Sequence, residues 1–188
     1  MTPTLAWWRR HVGHPDPLVE TTNTLAMLIA LNQPFYPLTL WGLADGATPA
    51  ALITLLSMPL FIAIPAVGRV SGLAGRAALP VVGTANTLLA VAVNGATTGV
   101  ELFLLPCLAA AALSFRRGEW RVALGLIVAI LAAWALASGL QGTPFVAWSP
   151  RDLPSLRNAN AVSAIVLTAF IALLMARARG WLRLRDRR

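Results

Sequence analysis

Six apolar runs, at 19–41, 48–67, 77–93, 97–115, 122–140 and 158–176, constrain this chain more than any motif in it. A helix needs about 20 mostly apolar residues to cross the roughly 30 Å hydrocarbon layer of a bilayer. In lipid the backbone must satisfy its own hydrogen bonds, which leaves helices and closed barrels as spanning structures. Runs of this length are those of membrane-spanning helices. The expected fold class is therefore all-α, a polytopic membrane protein built as a bundle of six transmembrane helices. Composition agrees: 12% of the residues are charged and 57% are hydrophobic, whereas soluble domains carry about 25% charged residues.

The intervals between the runs read as turns. Charge marks 69–76 (RVSGLAGR), 116–121 (RRGEWR) and 141–157, while 43–49 and 94–99 are short and rich in Gly, Thr and Asp. Three prolines qualify the helices. The first run holds Asn32, Gln33, Pro34 and Pro37. A proline removes a donor and clashes with the preceding turn, so a kink is expected near 30–33. Pro80 is expected in the first turn of the third helix, where proline is tolerated. Pro106 is expected to kink the fourth helix in mid-span. A count of five, with the third and fourth runs fused into a re-entrant element, is the alternative.

Arginine placement favours six. The chain has 15 basic residues, all arginine. With the N-terminus on side one, Arg9, Arg10, Arg69, Arg76, Arg116, Arg117, Arg121, Arg177, Arg179, Arg183, Arg185, Arg187 and Arg188 share that side, and only Arg151 and Arg157 lie opposite. The positive-inside rule then puts both termini in the cytoplasm. The domain plan is a cytoplasmic arm (1–17), a six-helix domain (18–178) and a basic cytoplasmic tail (179–188), in a bacterial inner membrane. The tryptophans agree: Trp7, Trp8, Trp120, Trp181, Trp41 and Trp148 fall at span edges, where indoles prefer to sit, and Trp134 alone is mid-span. TNTLAMLIALN (22–32) and ANTLLAVAVN (85–94) are weakly similar, which hints at tandem hairpins.

Chemistry is sparse. His11 and His14 lie in the arm rather than in a span, which argues against haem ligation. They have no third ligand nearby, and Arg9 and Arg10 would repel a cation. No nucleophile–base pair, metalloprotease helix, acidic magnesium motif or phosphate loop is present. No cofactor, metal or catalytic residue is expected. The net charge of +8 is spread along the chain, so nucleic acid is not an expected partner. Cys107, the lone cysteine, reads as a small core or lipid-facing residue.

Polar residues within the spans supply the remaining candidates. Glu20 opens the first span, where a carboxylate complements the helix dipole. Glu101 lies near the start of the fourth, either in reach of headgroup water or part of an outer-side polar site shared with Asn94, Asn86 or Asn32. Asn32 and Gln33, beside the broken first helix, mark the best place for an outer pocket, because free carbonyls and amides collect at such breaks. The candidate ligand-binding set is Asn32, Gln33, Glu101 and Asn94. Arg116, Arg117, Arg121, Arg179, Arg183 and Arg185 form a candidate surface for anionic lipid headgroups or a cytoplasmic partner. The tail ARARGWLRLRDRR reads either as a membrane-surface anchor or as a helix continuing to a partner, with Gly180 its one break. Self-association is compatible with the many Ala and Gly residues, as in GLAGRAA and LAAAAL.

The whole pattern resembles the six-helix membrane modules at the N-terminus of bacterial signalling proteins, including class III adenylate cyclases, diguanylate cyclases and sensor histidine kinases. The resemblance rests on TTNTLAML, on NGATTG leading into GVELFLLPCLAAAALSF and then RRGEW, and on NANAVSAIVLTAF running into the charged tail. It covers about 18–180. It implies a non-enzymatic sensor-like or anchoring module for a signalling partner. The linker and catalytic domain that follow in such proteins have no counterpart in the sequence, so a freestanding or severed module is expected. A small transporter or permease-like subunit, and a structural subunit of a membrane complex, are the alternatives.

Overall fold

Helix α1 (Pro3–Val12) lies ahead of the bundle and is tied down at its C-terminal end by two other segments. The Arg69 guanidinium donates to the carbonyls of Arg10 and His11 at 2.6 and 3.1 Å, and Asn23 Nδ2 donates to Val12 O at 3.1 Å. These side chains satisfy carbonyls that every helix C-terminus leaves free. The structure, a computed structural model, describes residues 3–44, 49–139 and 144–185, with side chains over 6–44, 51–139 and 144–180. The centre of the expected turn at 43–49, the start of the expected loop at 141–157, Arg187, Arg188 and the side chains of Trp181, Arg183 and Arg185 lie outside the described residues.

Helix α2 (Pro17–Asn32) starts where its sequence says it should. Asp16 accepts a hydrogen bond from Leu18 N at 2.9 Å as N-cap, Pro17 occupies the first turn and Glu20 faces the positive end of the dipole. The helix ends at Gln33–Pro34 and resumes as α3 (Phe35–Leu43). The expected kink is thus a full break, placed just after 30–33. Pro34 cannot donate to the turn before it, and Pro37, the third residue of α3, sits where its missing donor costs nothing.

A 3₁₀ stretch (Pro49–Ser57) runs into α4 (Met58–Val70), and Ser71 alone joins α4 to α5 (Gly72–Asn94). Ser71 is extended, and its hydroxyl accepts from Ala74 N at 3.3 Å, capping α5. Most of the charged interval 69–76 is therefore helical rather than loop. Pro80 stands in the interior of α5 instead of its first turn, with its carbonyl accepting from Thr84 Oγ1 at 2.7 Å. The two helices cross with backbones in contact: a Cβ on Gly75 would stand 2.5 Å from Gly68 Cα and 2.9 Å from Gly68 N. Small residues permit such close approach between membrane helices.

The fourth run departs most from expectation. Two 3₁₀ turns, Ala96–Thr98 and Val100–Phe103, precede the short α6 (Leu104–Leu113). Gly95 and Gly99, at φ +82° and +77°, make the turns, a conformation that only glycine adopts at low cost. Pro106 falls in the first turn of α6 and kinks nothing in mid-helix. A 3₁₀ turn (Arg117–Glu119) leads into α7 (Trp120–Gly139), and α8 (Leu153–Arg185) closes the bundle.

The described residues are all-α, without strands. Among them four helical stretches, not six, are long and apolar enough to cross a membrane: Ala51–Val70, Gly72–Asn94, Arg117–Gly139 and Leu153–Gly180. The first expected span is cut in two at Pro34. The fourth is shortened to Val100–Leu113 by its glycine turns. The core joins Leu18 and Leu25 of α2, Phe61 and Ile64 of α4, Leu79 of α5 and Ile171 of α8. Helix α7 packs on α6 through Ile130 and leaves Leu124, Val128, Leu131 and Leu136 exposed. That apolar outward face suits contact with acyl chains.

Candidate functional site

The break in the first helix opens a cavity of about 620 Å³ between α2–α3, α5, α6 and α8. That size falls within the roughly 300–1,000 Å³ usual for small-molecule sites. Among the described residues the lining is mostly aliphatic and aromatic and contains no charged side chain. Its polar groups include Asn32, Gln33, Tyr36 and Thr39 of α2–α3, Thr54 in the 3₁₀ stretch, Asn86 and Thr87 on α5, and Asn160 and Ser163 on α8. The cavity does not close. Phe35, Val166 and Phe170 line it and are also exposed, so it opens sideways between α3 and α8.

A hydrogen-bonded chain braces one wall. Gln33 Nε2 donates to Ser57 Oγ at 2.7 Å, and the Ser57 hydroxyl donates to Asn86 Oδ1 at 2.5 Å. Gln33 is 9% exposed, and its Oε1 has no partner. The Tyr36 hydroxyl faces Asn160 without closing a hydrogen bond and is also unpartnered. Asn160 Nδ2 is committed to Thr98 O at 2.9 Å. Buried polar atoms are nearly always paired. Two orphans beside one cavity therefore mark a place where a ligand's polar group fits.

Of the candidate ligand residues, the structure brings Asn32 and Gln33 to this cavity and leaves Asn94 and Glu101 outside it. Asn94 is fully buried at the end of α5. Its Nδ2 donates to Ala90 O at 3.2 Å, and its carbonyl accepts from Trp148 Nε1 at 3.1 Å. Val146 N donates to Val93 O at 2.9 Å. Asn94 therefore helps pin the 144–152 segment over that end of the bundle. Glu101 is half-buried in the 3₁₀ turn, with Oε2 unpartnered. Cys107 lies buried on the cavity wall, its thiol donating to Phe103 O at 3.3 Å. Among the described residues no cluster of three potential metal ligands occurs.

Tyr36 and Asn160 on the cavity lining, and Ser57 behind it, were not among the residues expected from sequence. Tyr36, the sole tyrosine, lies three residues past Gln33 and was the most readable sign. Ser57 has no sequence signal, because it reaches Gln33 and Asn86 only through the fold.

The arginine-rich segments converge at the other end of the bundle. The buried Arg76 side chain makes a bidentate pair with Glu119 at 2.7 and 2.8 Å, donates to Ser114 O at 3.0 Å and lies over the Phe115 ring. Glu119 also accepts from Arg116 N at 2.8 Å. The Arg76 guanidinium, and next the Arg116 amide, hold the Glu119 carboxyl below its usual range despite partial burial. Arg116 pairs with Asp16 at 2.9 Å, and Arg179 donates to Phe115 O at 2.9 Å. Arg117 and Arg121 are exposed, with the Arg121 guanidinium over the Trp120 ring. Arg116 and Arg179 thus join helices to one another, and Arg117 and Arg121 remain on the surface. No protein-family model, curated protein or solved structure matches this chain.

Proposed function

We propose that the chain is a sensor-like module of a bacterial inner membrane, in which occupancy of the cavity is passed along α8 to a partner at the arginine-rich end. One observation carries this reading: α8 walls the cavity with Asn160 and Ser163 and continues as a single helix to Arg185. It passes through Gly180, the expected break, without interruption. At the usual rise its 33 residues extend about 50 Å, well beyond the roughly 30 Å hydrocarbon layer. A shift of the wall would thus reach the tail through one rigid element.

In this arrangement the chain crosses the bilayer six times. The α2–α3 pair makes the first crossing, and the 3₁₀ turns with α6 make the fourth. Both termini and the arginine-rich end lie in the cytoplasm, as the arginine asymmetry favours. Reporter fusions after Arg76 and Arg121 should then give a cytoplasmic signal, and one after Ser149 a periplasmic signal. A periplasmic signal after Arg121 would exclude this topology. The transport alternative draws less support, because Glu101, its one ionisable candidate, lies outside the cavity.

The sensing step has its own test. Ser163→Trp would fill the cavity from α8. In a Cys107→Ala background, spin labels at Gly118 and Arg177 report the position of α8 against the α6–α7 turn. The distance distribution should shift in the Ser163→Trp variant. Superimposable distributions would sink the coupling.

A further inference from the structure

We propose that the cavity binds an uncharged single-chain amphiphile carrying a hydroxyl or secondary amide, taken up sideways from the bilayer. This rests on the reading of the cavity as a ligand site and names the ligand class.

Three observations restrict the class. First, among the described residues no charged side chain lines the cavity. A phospholipid phosphate or fatty-acid carboxylate would be desolvated there without a counter-charge, which is costly. Second, the polar atoms left over are complementary to one kind of group. Gln33 Oε1 is an acceptor that needs a donor, and the Tyr36 hydroxyl can donate or accept. A ligand hydroxyl or N–H donates to Gln33, and its own oxygen receives the Tyr36 proton. A pure hydrocarbon leaves both atoms unpaired, and a ketone leaves Gln33 unpaired. Third, the opening lies on the side of the bundle, between α3 and α8, where a bilayer crossed by these helices would meet it. Its rim is Phe35 on α3 and Val166 and Phe170 on α8, all exposed. A chain seated between these residues keeps its tail in the membrane while its head reaches the break.

Depth agrees with this route. Gln33 follows the 16 residues of α2, about 24 Å along the axis from Pro17. That places it in the half of the bundle away from the arginine-rich end, within reach of lipid in the leaflet on that side.

The test is binding of tritiated monooleoylglycerol to the purified full chain in nanodiscs. Saturable binding near one per chain is expected, competed by oleyl alcohol and N-oleoylethanolamine but not by oleate, oleyltrimethylammonium or hexadecane. Gln33→Leu should weaken binding about tenfold, the value of one net hydrogen bond. Ser163→Trp, at an exposed position on the rim, should abolish binding without lowering the melting temperature. Equal competition by oleate or hexadecane, or unchanged affinity in both variants, would overturn the proposal. The sensing reading fails separately. Monooleoylglycerol that binds without moving α8 leaves the ligand class standing and removes the signalling role. Movement of α8 in Ser163→Trp, when the parent chain does not bind monooleoylglycerol, does the reverse.

Discussion

Gly75→Leu should leave little folded protein in the membrane, and Gly75→Ala should already be costly. A Cβ at this position meets backbone rather than a movable side chain, 2.5 Å from Gly68 Cα, so the α4–α5 crossing must spread. Overpacking a well-packed site costs about 1–3 kcal/mol, occasionally more. Here the upper end applies to alanine, or roughly 6–12 °C in melting temperature for a chain of this size. Gly125, on the exposed side of α7 with open space around it, is the control, and Gly125→Ala should be neutral. The comparison is a thermal-shift series on purified protein with membrane yield alongside. A Gly75→Leu variant that melts with the parent would mean α4 and α5 do not cross as described.

Arg76→Met should be the second large effect, about 3–5 kcal/mol, because removing one partner of a buried pair strands the other. The loss falls toward the lower end, since Glu119 keeps some contact with solvent. Ser114 O loses its donor as well. The double variant Arg76→Met with Glu119→Gln should recover much of the loss, because no unpaired charge is left behind. Arg117→Ala, at an exposed site, should stay within about 0.5 kcal/mol of the parent. The pair also fixes a pH dependence. The folded state depresses the Glu119 carboxyl below its ordinary value of 4.5, so its stabilisation is fully present above that value. It is lost as pH falls through the lower folded value. Melting temperature should drop on acidification below about pH 4.5, and less steeply in Glu119→Gln. A double variant no more stable than Arg76→Met would contradict the buried pair.

How much of this could be read from residues alone differs along the chain. The third, fifth and sixth runs were legible because length and apolarity suffice for a continuous helix. The break at Pro34 was legible to within a few residues, since proline acts locally. The fourth run was not: Gly95 and Gly99 take left-handed conformations that composition records only as flexibility. Pro80 and Arg76 were misplaced for one reason. A charged interval containing glycines resembles a loop until a distant carboxylate, Glu119, neutralises the arginine and lets α5 begin at Gly72. In the cavity, Asn32 and Gln33 were visible as polar residues beside a break. That Gln33 meets Ser57, and Ser57 meets Asn86, depends on elements distant in sequence, and such juxtapositions are properties of the fold.

The single-residue connection at Ser71 has a kinetic consequence. Closing a loop costs entropy that grows with its length, and local contacts form fastest. The α4–α5 hairpin is therefore the natural nucleus of assembly. The cavity is the reverse case, with walls drawn from positions as far apart in sequence as Gln33 and Asn160. It is completed only when α8, made after the other walls, has docked. Any occupant therefore acts late, on a bundle already built around the hairpin.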